Sequence, residues 1–428
     1  MTRSTQSRGI VLALLLSASF CLPVFAESVP RTINEIVVLA LKHNAELAAL
    51  DKEAEAKHSL AIQAGRRSHP ILEFQGSTGS LSGSPDEQAV SLGVNQEFSL
   101  NDKLQLRREV VEREAEVAQR QRENAARLLK DEITTLALEY SLTAKRQELA
   151  AEVVKLSRDL VAIAGERFTA GDIPELDLNI TKVELARAEN RVLEIERERI
   201  PLRIKIASLC GLKESEVMVS EPQAPAKFSH GREALVTQAL SSRPDLLALV
   251  CERDRAATET RLAAAEALPN LTAGLFVQWQ RSATELGGMS SVGNDTQLGV
   301  RLSMPIPLFN RNSGGKAVAQ ARQDAAGSHH LALERTIVAE VESAYAGLSA
   351  SEKILALFEQ GIILQLAENL KVTQEAYRLG EVGILSVIDE QKKFFEVNDG
   401  YLSAQQSRRL AVTKLETAVA SELTGGGK

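Results

Sequence analysis

Between residues 102 and 168 the sequence has no proline and a single glycine, Gly165, and this stretch limits the fold more than any other feature of the chain. An unbroken row of adequate helix formers predicts one helix, which at 1.5 Å per residue reaches about 100 Å. A globular domain has no room for such a rod. Its apolar side has to be met by other rods lying alongside it.

Those rods can be read further on. In 174–210, Leu178, Leu185, Val192 and Ile206 fall on one seven-residue row and Thr181, Ala188, Ile195, Leu202 and Leu209 on a second, the seam of helices packed lengthwise. Arg199 interrupts the first row, and Pro201 predicts a kink. The seam returns as Val387, Phe394, Tyr401 and Leu415 with Glu390, Val397, Ala404, Ala411 and Ala418, interrupted by Arg408. Self-comparison explains the recurrence. Ala40-Leu41, Glu46-Leu47 and Pro70 match Ala239-Leu240, Asp245-Leu246 and Pro269 at an offset of 199 residues; Leu92-Gly93-Val94 matches Leu298-Gly299-Val300 at 206; Phe168-Thr169-Ala170-Gly171 matches Tyr377-Arg378-Leu379-Gly380 at 209. The chain is a duplication whose length changes fall in connections. Each half reads helix, two strands, very long helix, tip, long helix. A short helix at about 45–69 stacked on the heptad segment would match the long rod in length, and 312–377 is expected as the equivalent rod of the second half.

The strands carry a two-residue period. Val90, Leu92, Val94, Phe98 and Leu100 alternate with Ser91, Gly93, Asn95, Glu97 and Ser99, and only Gln96 breaks the apolar row. Leu271, Ala273, Leu275, Val277 and Trp279 repeat the pattern, as do Leu298, Val300, Leu302, Met304 and Ile306 against Gln297, Gly299, Arg301 and Ser303; Leu72 and Phe74 begin a weaker first strand. The expected spans are about 71–81, 89–100, 270–283 and 296–306, close to the length of tilted membrane-crossing strands. They are expected as two isolated hairpins. Four strands cannot close a barrel, and open edges are not tolerated in lipid, so membrane strands here require several copies; three would supply twelve.

The start of the chain reads as an export signal: Arg3 and Arg8, an apolar run from Ile10 to Phe20, and small residues at Val24 and Ala26, with cleavage expected after Ala26. Phe20 ahead of Cys21 argues against lipidation there. No later apolar run is long enough to span a bilayer as a helix. The chain carries 50 Lys and Arg against 57 Asp and Glu, with no basic run interleaved with aromatics, so no nucleic-acid partner is expected. Three Cys and six His are too few and scattered for a disulfide framework or a zinc module. Cys210 and Cys251, the thiols beyond the signal, leave pairing open, and His329-His330 diverge by about 100° on a helix and are expected as a solvated pair. No Ser/His/Asp arrangement, phosphate loop or carboxylate pair stands in a pocket-forming context. No catalysis, metal site or cofactor is expected.

Taken together, the duplication, Arg167-Phe168-Thr169-Ala170-Gly171 followed by Asp177, and Tyr377-Arg378-Leu379-Gly380 followed by Ser386-Val387-Ile388-Asp389 resemble the TolC outer-membrane efflux family. The stretch Met304-Pro305-Ile306-Pro307-Leu308-Phe309-Asn310-Arg311-Asn312 is similar to the strand-to-helix turn of its heavy-metal, CzcC-like branch. The resemblance implies a mainly α fold with a small β part: a duplicated long-helix coiled-coil α-barrel with four transmembrane strands per protomer, as a homotrimer with a twelve-stranded β-barrel. It divides the chain into a signal peptide (1–26), a first efflux repeat (27–219), a linker (220–231), a second repeat (232–421) and a flexible tail (422–428). It implies outer-membrane lipid, a periplasmic adaptor and an inner-membrane RND pump as partners, and passive export, of heavy-metal cations in that branch. The adaptor would meet Ala170, Gly171, Asp172, Leu379, Gly380 and Glu381 at the tips. Asp177, Tyr377, Ser386 and Asp389 would line the channel entrance, Tyr377 offering a constriction hydrogen bond and three copies of Asp389 attracting cations by summation of their fields. Drug or protein export, and a periplasmic coiled-coil scaffold, are the alternatives.

Overall fold

A computed structural model describes residues 30–82, 84–220, 231–287 and 289–423. The expected signal 1–26 with Cys21, nearly all of the linker 220–231 and most of the tail 422–428 lie outside the described residues.

The first repeat runs α1 (Ile33–His43), α2 (Ala45–Ala64), β1 (Ile71–Thr78), β2 (Gln88–Phe98), α3 (Lys103–Ala170) and α4 (Glu175–Cys210). The second runs α5 (Arg232–Ser242), α6 (Pro244–Ala265), β3 (Leu271–Leu286), β4 (Met289–Ser303), α7 (Ser313–Phe358), α8 (Ile362–Arg378) and α9 (Ile384–Val419). The long rod of the first half is present as the 68-residue α3. Two expectations change. The helix before each hairpin is two helices, broken at Asn44 and Arg243, which the offset of 199 makes equivalent. Asn44 caps α2 by accepting from the Leu47 N–H at 3.0 Å, whereas Arg243 precedes a proline at the first position of α6, two different ways to start a helix. The expected second rod, 312–377, is not continuous: Gly361 takes φ +92°, a left-handed conformation that an α-helix cannot pass through, and α8 starts after it. Pro201, where a kink is expected, does not break the helix. It lies on the exposed side of α4, which continues to Cys210.

The helices form one layer. α3 packs on α2 and α4 along one side and on α6 and α9 along the other; α7 packs on α6 and α9, and α8 on α9. α2 above α4 and α6 above α9 are thus the stacks expected beside the long rods. Thr181, Ile195 and Ile206 on α4 and Val387, Phe394, Ala404 and Leu415 on α9 are buried, so the heptad rows do face inward. The arginines that interrupt them reach the neighbouring rod. Arg199 donates to the Tyr140 hydroxyl at 2.9 Å and to Gln147 Oε1 at 3.1 Å, its guanidinium 4.5 Å from the Tyr140 ring centre; Arg408 donates to Glu352 at 3.4 Å. A polar group in an apolar seam favours the register in which it finds its partner.

Each repeat has its own core at mid-height. Ile36, Ala40, Leu47, Ile133, Ile206 and Cys210 form the first, and Leu235, Ala239, Leu246, Val341, Leu415 and Val419 the second, matching position for position. Cys210 is fully buried with its Sγ 3.7 Å from the Ile36 carbonyl, and burial pushes its thiol up to about 11. Both Cys210 and Cys251 are free thiols. With well under about 1% thiolate at pH 8.5, Cys210 should resist iodoacetamide in the folded protein and react fully in denaturant. Mass spectrometry of its peptide checks this; equal labelling in both conditions would mean that the first core is not formed.

The strands make one antiparallel sheet in the order β1-β2-β3-β4. The hairpins are therefore not isolated, because β2 pairs with β3 and joins the repeats. β1 ends at Thr78 and β4 begins at Met289, earlier than the alternation suggested. The register aligns Leu72, Val94, Leu275 and Val300 in one cross-strand row and Phe74, Leu92, Val277 and Leu298 in the next. All eight side chains are exposed, Phe74 by 71% and Leu298 by 79%. A face of this kind has to be covered by something apolar.

Candidate functional site: the helical tips

α3 ends and α4 begins around Gly171, and α8 and α9 meet in the same way around Gly380. Both glycines have φ +83°. The Gly171 N–H donates to Phe168 O at 3.0 Å and the Asp172 N–H to Arg167 O at 2.9 Å; the Gly380 N–H donates to Tyr377 O at 3.0 Å and the Glu381 N–H to Ala376 O at 2.8 Å. These are two copies of one helix-ending motif, in which a left-handed residue lets the last carbonyls be satisfied. Glycine takes that conformation without steric cost. Ala170, Gly171, Asp172, Leu379, Gly380 and Glu381 are all exposed.

The tips are tied together. Arg167 of α3 donates from Nη1 to the Tyr377 carbonyl at 2.7 Å, and its guanidinium lies 4.9 Å from the Tyr377 ring centre. Beneath it, Leu160, Tyr377, Ile384, Val387 and Ile388 form a buried cluster with Ile163, Ile180 and Val382 against it.

The four entrance residues separate in this geometry. Tyr377 is 1% exposed and its hydroxyl has no hydrogen-bond partner among the described residues, so the expected constriction bond is not made within the protomer. Burial pushes its phenol pKa up; Arg167 opposes the shift and Asp177 adds to it. Asp177 is half-buried in the first turn of α4, where a carboxylate complements the helix dipole. Ser386 is exposed, with its N–H donating to Gly383 O at 3.1 Å. Asp389 has a 64% exposed side chain and pairs with Lys393 at 2.7 Å, so the charge expected to attract cations is partly compensated on its own helix. Lys393 is held further toward its charged form by the hydrogen bonds it donates to Asp389 and Glu390. Among the described residues no group of three His, Cys, Asp or Glu side chains is placed to hold a metal ion. On α7, His330 Nδ1 lies 3.8 Å from Glu334.

Outer membrane efflux proteins, as a family model, match residues 36–212 and again 235–421, which are the two repeats. The chain belongs to the outer membrane efflux protein family. Among curated relatives it is 22% identical over 253 residues to the cobalt-zinc-cadmium resistance protein CzcC of Cupriavidus metallidurans, covering 59% of this chain and 58% of that protein. It is 24% identical over 198 residues to the outer membrane protein TolC of Vibrio cholerae, covering 46% and 45%. The chain thus spans about half the length of the curated relatives it matches. A solved structure of CusC superposes with a TM-score of 0.74 at 16% identity over 92% of this chain and 93% of that one, and VceC of Vibrio cholerae with 0.71 at 18% over 91% and 96%. At these identities the shared property is the fold.

As a member of the outer membrane efflux family the chain lies in the outer membrane and extends into the periplasm. No helix among the described residues is long and apolar enough to cross a membrane; the apolar sheet face is the surface that suits lipid. Two features of the tips went unread in the sequence. Lys393, four residues after Asp389, is an ordinary helix pair and was legible. Arg167 stands in the quoted motif, but its reach to the other repeat depends on packing that spacing does not encode.

Proposed function

We propose that three copies of this chain form a passive outer-membrane exit duct of a tripartite exporter, loaded through a periplasmic adaptor at the tips from an inner-membrane RND pump, and that its cargo is heavy-metal cations. The observation that carries this reading is the sheet: four strands, an exposed apolar row across all of them, and β1 and β4 each with one edge unpaired among the described residues. Lipid accepts such a sheet only when further copies close it. The helical layer supports the same closure, because both of its flanks expose apolar side chains. α4 exposes Leu176, Val183, Leu193 and Ile204, while α7 and α8 expose Ile354, Leu357, Leu364 and Val372. In a ring, one of these flanks meets the other on the next copy, which is a heterologous contact that closes by rotation.

The metal assignment is supported by the likeness to CzcC and by the turn 304–312. Deleting the gene should raise sensitivity to zinc, cobalt, cadmium, copper or silver and leave tolerance of dyes and detergents unchanged. The reverse profile would move the cargo to organic compounds, the class favoured by the 22% identity to the pyoverdine export outer membrane protein OpmQ of Pseudomonas putida. A detergent-free monomer that gives no conductance in planar bilayers would end the duct reading in favour of a periplasmic scaffold.

A further inference from the structure

The face of the sheet opposite the apolar rows is mostly Ser, Gln and Gly; its charged side chains are Glu73, Glu97, Asp295 and Arg301, and two of these meet near the helical end. Glu73 on β1 accepts from Arg301 Nη1 on β4 at 2.8 Å and from Asn95 Nδ2 on β2 at 2.6 Å. β1 and β4 are the outer strands, with β2 and β3 between them. On a flat sheet three strand spacings separate them by about 14 Å. The pair can meet only if the sheet curls toward this face, which makes it the concave, inner one.

The floor beneath the pair is built for it. In register with Glu73 come Gly93, Phe276 and Gly299, and in register with Asn95 come Gly274 and Arg301. A Cβ at Gly299 would stand 2.3 Å from the Phe276 ring, one at Gly93 would be 3.1 Å from Phe276 Cβ, and one at Gly274 would be 1.9 Å from Asn95 Oδ1. The glycines let Phe276 lie flat and Asn95 turn toward Glu73. The Arg301 guanidinium rests 5.3 Å from the Phe276 ring centre, an attractive placement for a cation. Both charged side chains remain about 45% and 42% exposed, open to water rather than sealed in a core.

We infer that Glu73 and Arg301 form a compensated charge girdle at the helical end of the β-barrel and set the ionic selectivity of the duct there. This inference rests on the trimeric duct proposed above. Three unpaired glutamates around one axis would sum their fields and hold a multivalent cation, whereas three Glu–Arg pairs present nearly balanced charge and let it pass. Asn95 and Phe276 are positioning residues, fixing the carboxylate and the guanidinium respectively.

The test is the reversal potential of purified trimers in planar bilayers under a potassium chloride gradient. Arg301→Gln should raise the cation-to-anion permeability ratio about threefold and make the current sensitive to block by added zinc; Glu73→Gln should lower the ratio by a similar factor; the double variant should return close to the starting ratio. Arg301→Lys, which keeps the charge, should stay near the original value, separating charge from packing. Heat-resistant trimers on gels verify assembly, and Glu73→Gln, nearly isosteric, keeps the test open if Arg301→Gln fails to assemble. Conducting trimers with an unchanged ratio in the single variants would overturn the girdle. A failure of the unsubstituted protein to conduct at all would instead overturn the duct.

Discussion

Leu275→Arg is expected to empty the outer membrane of this protein. Leu275 stands at the centre of the apolar run 271–279 on β3, is 62% exposed and lies in the row with Leu72, Val94 and Val300. An arginine facing lipid near the bilayer midplane costs about 2–4 kcal/mol, and a trimer would carry it three times over. That exceeds a large part of the stability of an ordinary domain. Gln278→Arg, on the inner face of the same strand, should be tolerated, since its neighbours in register are Ser91 and Gln297. The measurement is the amount of heat-resistant trimer in the outer-membrane fraction. Normal assembly of the Leu275 variant with loss of the Gln278 variant would mean that the two faces are assigned the wrong way round.

The contrast between those positions was legible in the sequence, because a period of two states which residues share a face. It does not state which strand lies next to which. The β2–β3 pairing joins residues nearly two hundred positions apart, and nothing local announces it. The first residues of β4 were missed for another reason: Ser291, Gly293, Asn294, Asp295 and Thr296 show no alternation and are strand because β3 is there to pair with them. Among the helices, absence of breakers read α3 correctly, and Gly361 was the signal for the α7–α8 break that the repeat argument overrode. The short pre-strand helices divide at Asn44 and ahead of Pro244, both residues with known helix-starting chemistry. What stayed illegible is long-range side-chain reach. Arg167 to Tyr377 and Arg301 to Glu73 each cross between the repeats, and their partners are chosen by the curvature and stacking of the finished fold.

The tip glycines permit the sharpest test of how the duct is loaded. With Gly171 and Gly380 both replaced by leucine, export is expected to fall to the level of a deletion strain while trimers remain intact. Each glycine sits at φ +83°, where an L-residue costs about 1–2 kcal/mol. That strain is local to the ends of the rods, far from the sheet and from the mid-height cores at Ile133 and Val341, so assembly should survive it. The two positions differ in what a side chain would meet. A Cβ at Gly171 has nothing within 4 Å and projects into solvent, whereas one at Gly380 lies 3.3 Å from Arg167 Nη2 and presses on the link between the tips. Gly171→Leu alone therefore tests whether another protein approaches that backbone, and Gly380→Leu adds loosening of the Arg167 contact. Gly171→Ala carries the backbone strain with little bulk and should keep a substantial part of the activity if steric exclusion of the adaptor is the cause. Metal tolerance in cells, read beside trimer levels on gels, separates these effects; undiminished tolerance in the double leucine variant would place the adaptor somewhere other than the tips.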